Sequence, residues 1–368
     1  MLTSRTTLAK YLMEEQRRNG GYASELNSLL LEIALACKAI SSHVARGALD
    51  ELSDAARKTG GVVNSERHDA VANDLVKRAT EWGGHLAGMV SENEADPIAV
   101  PADYPKGRFL LYFDPLDGAA NVDVNSSVGS IFSVVRSPNP GEDASAEDLL
   151  RAGTEQVAAG YALYGPSTML VLTVGRGVQG FTLDPVIGEF FLTHPDMRLP
   201  ANTTEFAINH SNRRFWDPAV RRYVDECLAG LSGPRNRDFS VRWVASLVAE
   251  AHRVLTRGGV CLFPSDSRDV RRPNRLRLMC EVNPIAFVIE QAGGWASSGE
   301  GRALETVPTE IHERVPLFFG VAEEVERIER YYREDEPETA TDHEPELDLP
   351  FYAVRGLFRT TRTPDRSE

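Results

Sequence analysis

The sequence predicts an α/β chain, and three observations predict it. The first fifty residues carry an apolar stripe at helical spacing, a block of short β-rich runs follows from Arg108 to about Pro195, and helical and strand patterns alternate after a polar break near residue 200. In the first region Leu26, Leu29, Leu30, Ile33, Cys37, Ile40 and Val44 recur at three- and four-residue steps. That is the stripe of an amphipathic packing helix, stopping near Gly47. In the second, "FLLYF", "SIFSVV", "VAAGYALYG", "TMLVLTV", "GFTL" and "GEFFLT" are separated by Gly, Pro and Asp turns, the pattern of a largely antiparallel sheet. "GRGVQG" (Gly175 to Gly180) has the spacing of a dinucleotide-binding turn, but strand-like "FTLDP" follows it instead of a helix, so it reads as a hairpin.

The polar stretch "PDMRLPANTTE" (Pro195 to Glu205) is the best candidate for a domain boundary, dividing 1–198 from 199–333. Beyond it, Val220, Val224, Cys227 and Leu228 mark one helix and "VRWVASLVAEAHRVL" another. "GGVCLFP" is a short strand, "NPIAFVIEQAGG" a helix with Pro284 near its first turn and a glycine stop, and "VPLFFG" a last strand. Folding is expected to end near Arg333. Glu334 to Asp348 hold eight carboxylates with prolines and almost no apolar residues, which predicts a disordered linker in a tail of 334–368. The closing "PFYAVRGLFRTTR" regains aromatics and arginines; docking on the body or a neighbour and a free tail both fit.

At 368 residues and 42% hydrophobic content the chain can bury a sizeable core. Its net charge of −14, from 40 basic and 54 acidic residues with no basic stripe, argues against nucleic acid or a membrane surface as partner. An anionic substrate would need arginines or a metal. Cys37, Cys227, Cys261 and Cys280 lie far apart with no Cys-x-x-Cys pair, so reduced thiols in a cytoplasmic protein are expected. The start "MLTSRTTLAKYLMEEQRR" lacks a signal-peptide core, and no segment approaches the ~20 apolar residues of a membrane span.

Directly behind "RFLLY" comes "FDPLDGAANVD" (Phe113 to Asp123). Asp-Pro and Asp-Gly are turn-forming pairs, so a plain turn fits. A metal site fits as well: Asp114 and Asp117 are hard oxygen donors on a proline-stiffened turn, and Gly118, Ala119 and Ala120 would let an anion approach the backbone amides. Glu92 in "MVSENE" and Glu281 in "RLRLMCEVNP" share the setting, though a solvated acid and a helix N-terminal acid explain them separately. No Gly-x-Ser-x-Gly or His-Glu-x-x-His motif occurs, and the histidines read as surface or packing residues.

The loop "DPLDGAANVD" stands in order with "NDLV" behind Asp69, "INHSNRRFWDP", "VRWVASLVAEAHRVLTRGGVCLFP", "RLRLMCEVNPIAFVIEQAGG" and "VPTEIHERVPLFFG". On these motifs the chain resembles class I fructose-1,6-bisphosphatases, especially the form found in autotrophic bacteria, over most of residues 20 to 333. The resemblance implies a layered α/β/α/β/α sugar-phosphatase fold, with two mixed or antiparallel sheets between helical layers. It implies that Glu92, Asp114, Asp117, Glu281 and the Leu116 carbonyl hold two or three Mg²⁺ (or Mn²⁺) ions around the 1-phosphate. It implies that the amides of Gly118, Ala119 and Ala120 cradle the phosphoryl group, and that Asp69 helps activate the attacking water. Asn209, Arg242 and Arg275 would hold the substrate's other end, Arg242 reaching across a subunit interface of a homotetramer to the 6-phosphate.

The chain departs from this pattern in places. Asn93 stands where the family has a second, assisting glutamate, and an amide cannot accept a proton at neutral pH; Glu94 is next to it, but neighbours on an extended segment face opposite sides, so it is not an obvious stand-in. Ala119 and Ala120 replace serines, Asn212, Trp243 and Phe263 replace the tyrosines of the sugar-phosphate pocket, and Arg275 replaces its lysine. At the AMP site Ala23, Ser24, Glu25, Asn27 and Arg108-Phe109 replace the phosphate-binding residues, so weak or absent AMP inhibition is expected. The leading expectation is hydrolysis of the 1-phosphate of fructose 1,6-bisphosphate, in the Calvin cycle or gluconeogenesis, with sedoheptulose 1,7-bisphosphate as a further substrate. An inositol- or nucleotide-phosphate phosphatase and a catalytically weak, partner-regulating paralogue are the alternatives.

Overall fold

The structure, a computed structural model, describes residues 6–19, 24–47, 49, 65–201, 203–268 and 276–335. The described residues, up to Asp335, form one unit, and the expected linker from 336 with the tail lies outside the described residues. A first sheet is built in sequence order from β1 (Leu86–Ser91), β2 (Phe109–Asp117), β3 (Val128–Arg136), β4 (Gln156–Tyr164), β5 (Thr168–Thr173), β6 (Val178–Asp184) and β7 (Glu189–Met197). Strand β1, "LAGMVS", unassigned in the sequence reading, runs parallel to β2, and the later neighbours are antiparallel. All nine residues of β2 are buried, and its first five, "FLLYF", read as an unbroken apolar run. "GRGVQG" is indeed the β5–β6 hairpin, turning on Gly175 and Gly177 at φ +80° and +75°.

The remaining strands are β8 (Glu205–Ala207), β9 (Ser240–Val241), β10 (Val260–Phe263), β11 (Leu276–Arg277), β12 (Trp295–Ser297), β13 (Arg314–Val315) and β14 (Leu317–Gly320). A second, mixed sheet has the order β12-β14-β10-β8-β9, and β11 pairs with β13 in a separate ribbon. The described helices are α1 (Leu8–Asn19), α2 (Ser24–Arg46), α3 (Ser65–Thr80), α4 (Pro218–Leu228), α5 (Leu247–Arg257), α6 (Asn283–Gln291) and α7 (Ala322–Asp335). Three buried clusters order them into layers. Leu12, Leu29, Ile33 and Val76 pack α1 to α3 on the first sheet; Val248, Ala251, Ile285 and Ile289 set α5 and α6 between the sheets; Val220, Val224, Val325 and Ile328 put α4 and α7 on the second sheet's far face. The layered fold expected from the resemblance is therefore present.

Two element boundaries differ from the sequence reading. In "VRWVASLVAEAHRVL" Val241 belongs to β9 and the helix begins only at Leu247. Ala245 adopts φ +63°, and Ser246 is the N-cap, accepting a hydrogen bond from the Ala249 amide at 3.2 Å. Helix α7 runs through Glu334, whose carboxylate meets Arg222 at 2.6 Å, so the start assigned to the linker is helical. The membrane-span expectation also needs amending. By length and composition α2 is long and apolar enough to cross a membrane. Its buried face, including Leu26, Leu29, Leu30, Ile33 and Cys37, packs into the first cluster as a core helix does.

Candidate active site

Because β1 and β2 run parallel with Ser91 opposite Phe113, the C-terminal end of β1 arrives beside the acidic part of β2. Glu92 follows directly, its amide bonded to the Phe113 carbonyl at 3.0 Å, and so stands beside Asp114. The β2–β3 register slips between Asp114 and Asp117, where Pro115 has no amide to give to a ladder. The turn is fixed from inside: Asp114 Oδ1 accepts the Leu116 amide at 3.0 Å, and the Pro115 carbonyl accepts the Ser130 hydroxyl at 2.6 Å. Both sequence readings of "FDPLDG", turn and acid-bearing loop, thus apply to the same residues. Gly118 then adopts φ +73°, and a Cβ there would meet the Ser246 Cβ at 2.9 Å, so glycine is required twice over. Ala119–Asn121 follow as a single helical turn.

Glu281 arrives from a different element, a π-helical turn (Leu278–Val282) leading into α6. Glu92, Asp114 and Glu281 each place a carboxylate oxygen within 4.8 Å of the others. Burial above all, then the charges of Glu92, Asp117, Glu281 and Asp69, drives the Asp114 carboxyl well above the ordinary range. Burial, then Glu92, does the same to Glu281. Asp117 is raised by burial against the pull of three donors from α5: the Ser246 hydroxyl at 2.6 Å, the Val248 amide at 2.8 Å and the Leu247 amide at 3.0 Å. Crowded, buried, mutually repelling oxygen donors are the set that a hard divalent cation relieves, and the site fits one on that ground.

Asp69 on α3 faces the same cluster, its carboxyl hydrogen-bonded by Asn93 and pushed up to about 6 by burial, with Glu92 adding to the rise. Its Oδ1 is buried without a hydrogen-bond partner. Glu94 turns instead to α3, accepting from Asn73 at 2.8 Å and Lys77 at 2.7 Å, so it does not replace the glutamate missing at Asn93. Across the site, Asp117 and Glu281 line a cavity of about 320 Å³ together with Asn209, Asn212, Trp243 and Phe263. The Trp243 and Phe263 rings lie 5.4 Å apart, and the Asn212 amide gives one hydrogen bond to Asp266 at 3.1 Å. Arg242 stands at the surface, 3.5 Å from Glu205. Arg275 and Ala23 lie outside the described residues.

Sequence reasoning missed Arg277, Ser246 and Asn121. Arg277 brings Nε to 3.3 Å from Glu92 without hydrogen-bond alignment, and its amide donates to Glu281 at 2.6 Å. No spacing in "RLRL" signals this. Ser246 could have been found as a cap, since serine precedes an apolar run there.

Two family models cover nearly all of the described unit: the fructose-1-6-bisphosphatase N-terminal domain matches residues 6–195 and the C-terminal domain residues 199–333. The chain is 56% identical over 355 residues to a fructose-1,6-bisphosphatase class 1 of Hydrogenophilus thermoluteolus, covering 96% of this chain and 97% of that one. It is 53% identical over 356 residues to fructose-1,6-bisphosphatase class 1 3 of Methylibium petroleiphilum, covering 96% and 98%. Among solved structures, Leishmania major fructose-1,6-bisphosphatase in its holo form superposes with a TM-score of 0.79 at 35% identity, over 89% of this chain and 99% of that one. Its apo form gives 0.78 at 34%, over 90% and 100%.

Proposed function

This chain belongs to the class I fructose-1,6-bisphosphatase family, and on that premise we propose a Mg²⁺-dependent enzyme that hydrolyses fructose 1,6-bisphosphate to fructose 6-phosphate and phosphate. The observation that carries the metal dependence is the convergence of Glu92, Asp114 and Glu281 from three separate elements beside the cavity. Glu92, Asp114, Asp117, Glu281 and the Leu116 carbonyl are the residues that would hold two or three ions. Bound there, such ions supply charge neutralisation at the phosphoryl group and ease deprotonation of water.

The chain's own groups do the rest. The amides of Gly118, Ala119 and Ala120 bind the phosphoryl oxygens. Asp69, as a carboxylate, accepts the proton of the attacking water, and Asn93 holds it in place as a donor. Trp243 and Phe263 wall the sugar against water, while Asn209, Asn212, Arg242 and Arg275 take the far phosphate, Arg242 from a neighbouring subunit of a homotetramer. The boundary near residue 198 separates the half bearing the metal loop from the half bearing the sugar pocket. Cytoplasmic action in carbon fixation or gluconeogenesis, with sedoheptulose 1,7-bisphosphate as a second substrate, completes the reading. Weak AMP inhibition is supported by Glu25, which lies 3.4 Å from Arg108 and so occupies the cation an AMP phosphate would need.

The test is phosphate release from fructose 1,6-bisphosphate with Mg²⁺, beside sedoheptulose 1,7-bisphosphate, inositol 1-phosphate and a chelated control. Chelator-sensitive release from the bisphosphates supports the reading; preference for inositol 1-phosphate overturns it. A second reading, a catalytically weak paralogue that binds sugar bisphosphate and regulates a partner, is favoured by Asn93 alone. It takes the lead if the native protein is silent while Asn93→Glu turns over.

A further inference from the structure

A carboxyl group that plays no part in this chemistry lies behind it. Glu250 on α5 is fully buried, and its Oε1 accepts the Val244 amide at 2.5 Å. The Val244 carbonyl in turn accepts the Asn121 side-chain amide, from the phosphate loop, at 3.0 Å. Both faces of one residue's backbone are therefore gripped, one from the middle helical layer and one from the loop after β2. The turn so held is short and sits on the cavity. Trp243 and Ala245 line the cavity, Ala245 is left-handed at φ +63°, and Ser246 donates to Asp117. Left-handed backbone disfavours alanine, so this turn keeps its shape only while its neighbours impose it.

We propose that Glu250 is a positioning residue for the phosphatase reaction: by accepting the Val244 amide it fixes the turn Trp243–Ser246 and so sets the wall of the sugar pocket. The inference rests on the fructose-bisphosphatase reading. Glu250 touches neither substrate nor reacting atoms and works through Val244. Its Oε2 is buried without a partner, so the carboxyl is held there through the single bond that its Oε1 makes to the Val244 amide. Burial pushes the Glu250 carboxyl up to about 7, against the pull of the Val244 amide and Arg253, and an amide is accordingly a close mimic of its neutral form.

The experiment compares full-length wild type, Glu250→Leu and Glu250→Gln by melting temperature and by KM and kcat for fructose 1,6-bisphosphate at saturating Mg²⁺. Glu250→Leu is expected to lower the melting temperature, because the Val244 amide loses its acceptor, and to raise KM about tenfold, the size of one lost hydrogen bond, with kcat changed less than about threefold. Glu250→Gln, which keeps the acceptor, is expected within about twofold of wild type in both constants. A folded Glu250→Leu with wild-type KM overturns the proposal, and so does a Glu250→Gln that fails as badly as leucine. If leucine prevents folding, Asn121→Ala, releasing the other grip on Val244, must raise KM alike; an unchanged KM there overturns it too. Absence of turnover in the wild type overturns the phosphatase reading and this inference with it, whereas an active wild type with an indifferent Glu250→Leu overturns the inference alone.

Discussion

Replacing Asn93 by alanine will move the acid limb of the pH–rate profile upward. Asp69 must be ionised to accept a proton, and its carboxyl already sits at about 6 because burial and Glu92 disfavour the charge. Activity in the wild type should therefore fall about tenfold per pH unit below about 6, a loss on the acid side because the required form is the deprotonated one. The Asn93 side chain lowers that value by donating to the carboxylate. A hydrogen bond to a charged group contributes about 1.5–3 kcal/mol net, and one unit of pKa corresponds to about 1.4 kcal/mol. Loss of the donor thus predicts a rise of about one to two units, placing the Asn93→Ala limb near pH 7 to 8. Asn93→Glu shifts the limb in the same direction through like charge, but also restores a second group able to take the proton. The assay is kcat/KM for fructose 1,6-bisphosphate from phosphate release between about pH 5 and 9, at one free Mg²⁺ concentration. Superimposable acid limbs for wild type and Asn93→Ala would refute the assignment of Asp69 as the titrating base under Asn93's control. Asp69→Asn serves as the reference, expected to lose the limb and about 10²- to 10⁴-fold in rate.

Asp114→Asn should lower Mg²⁺-stimulated turnover by at least about 10²-fold while raising the melting temperature in chelator, since it removes a buried charge that its neighbours repel; calorimetry with and without EDTA reads both effects. The metal-free protein should lose stability as pH rises above the ordinary carboxylate range, because folding raises the pKa of Asp114, Asp117 and Glu281 and favours their protonated forms. Mg²⁺ should accordingly raise the melting temperature more at pH 8 than at pH 6, and an equal shift at both would count against the cluster as the binding site. Arg235→Met should cost about 3–5 kcal/mol by urea denaturation, because it strands Glu324, 1% exposed and bonded to Arg235 at 2.6 Å. Arg235→Met combined with Glu324→Leu should recover most of that loss, and a double variant as unstable as the single one would contradict this origin.

What was legible in the sequence was whatever depends on period and turn chemistry. The α2 stripe, the antiparallel run from β2 to β7 and the "GRGVQG" hairpin follow from side-chain alternation and glycine, and all formed. Helices α1 and α3 did not show, because "LAKYLMEEQRRN" and "SERHDAVANDLVKRAT" carry so much charge that their apolar faces are thin. At the site, the carboxylates were found from local spacing and the family's motifs. Arg277 and Glu250 were not, because each acts on a residue outside its own segment: Arg277 on Glu92, and Glu250 on a turn that only the left-handed Ala245 creates. Ser246 lay between these cases. Its capping role could be read from the run that follows it, but its bond to Asp117, 129 residues earlier, could not.

Asp117 closes a strand of the first sheet, and its two oxygens receive the hydroxyl and both leading amides of α5. It is thus a rivet between two layers of the molecule, driven through at the wall of the cavity. Any sideways slip of the α5 layer against the first sheet has to shear those three bonds, and any change in the charge on Asp117 alters how firmly they hold. A change of charge at Asp117 is therefore felt in the joint between the layers as well as in the cavity.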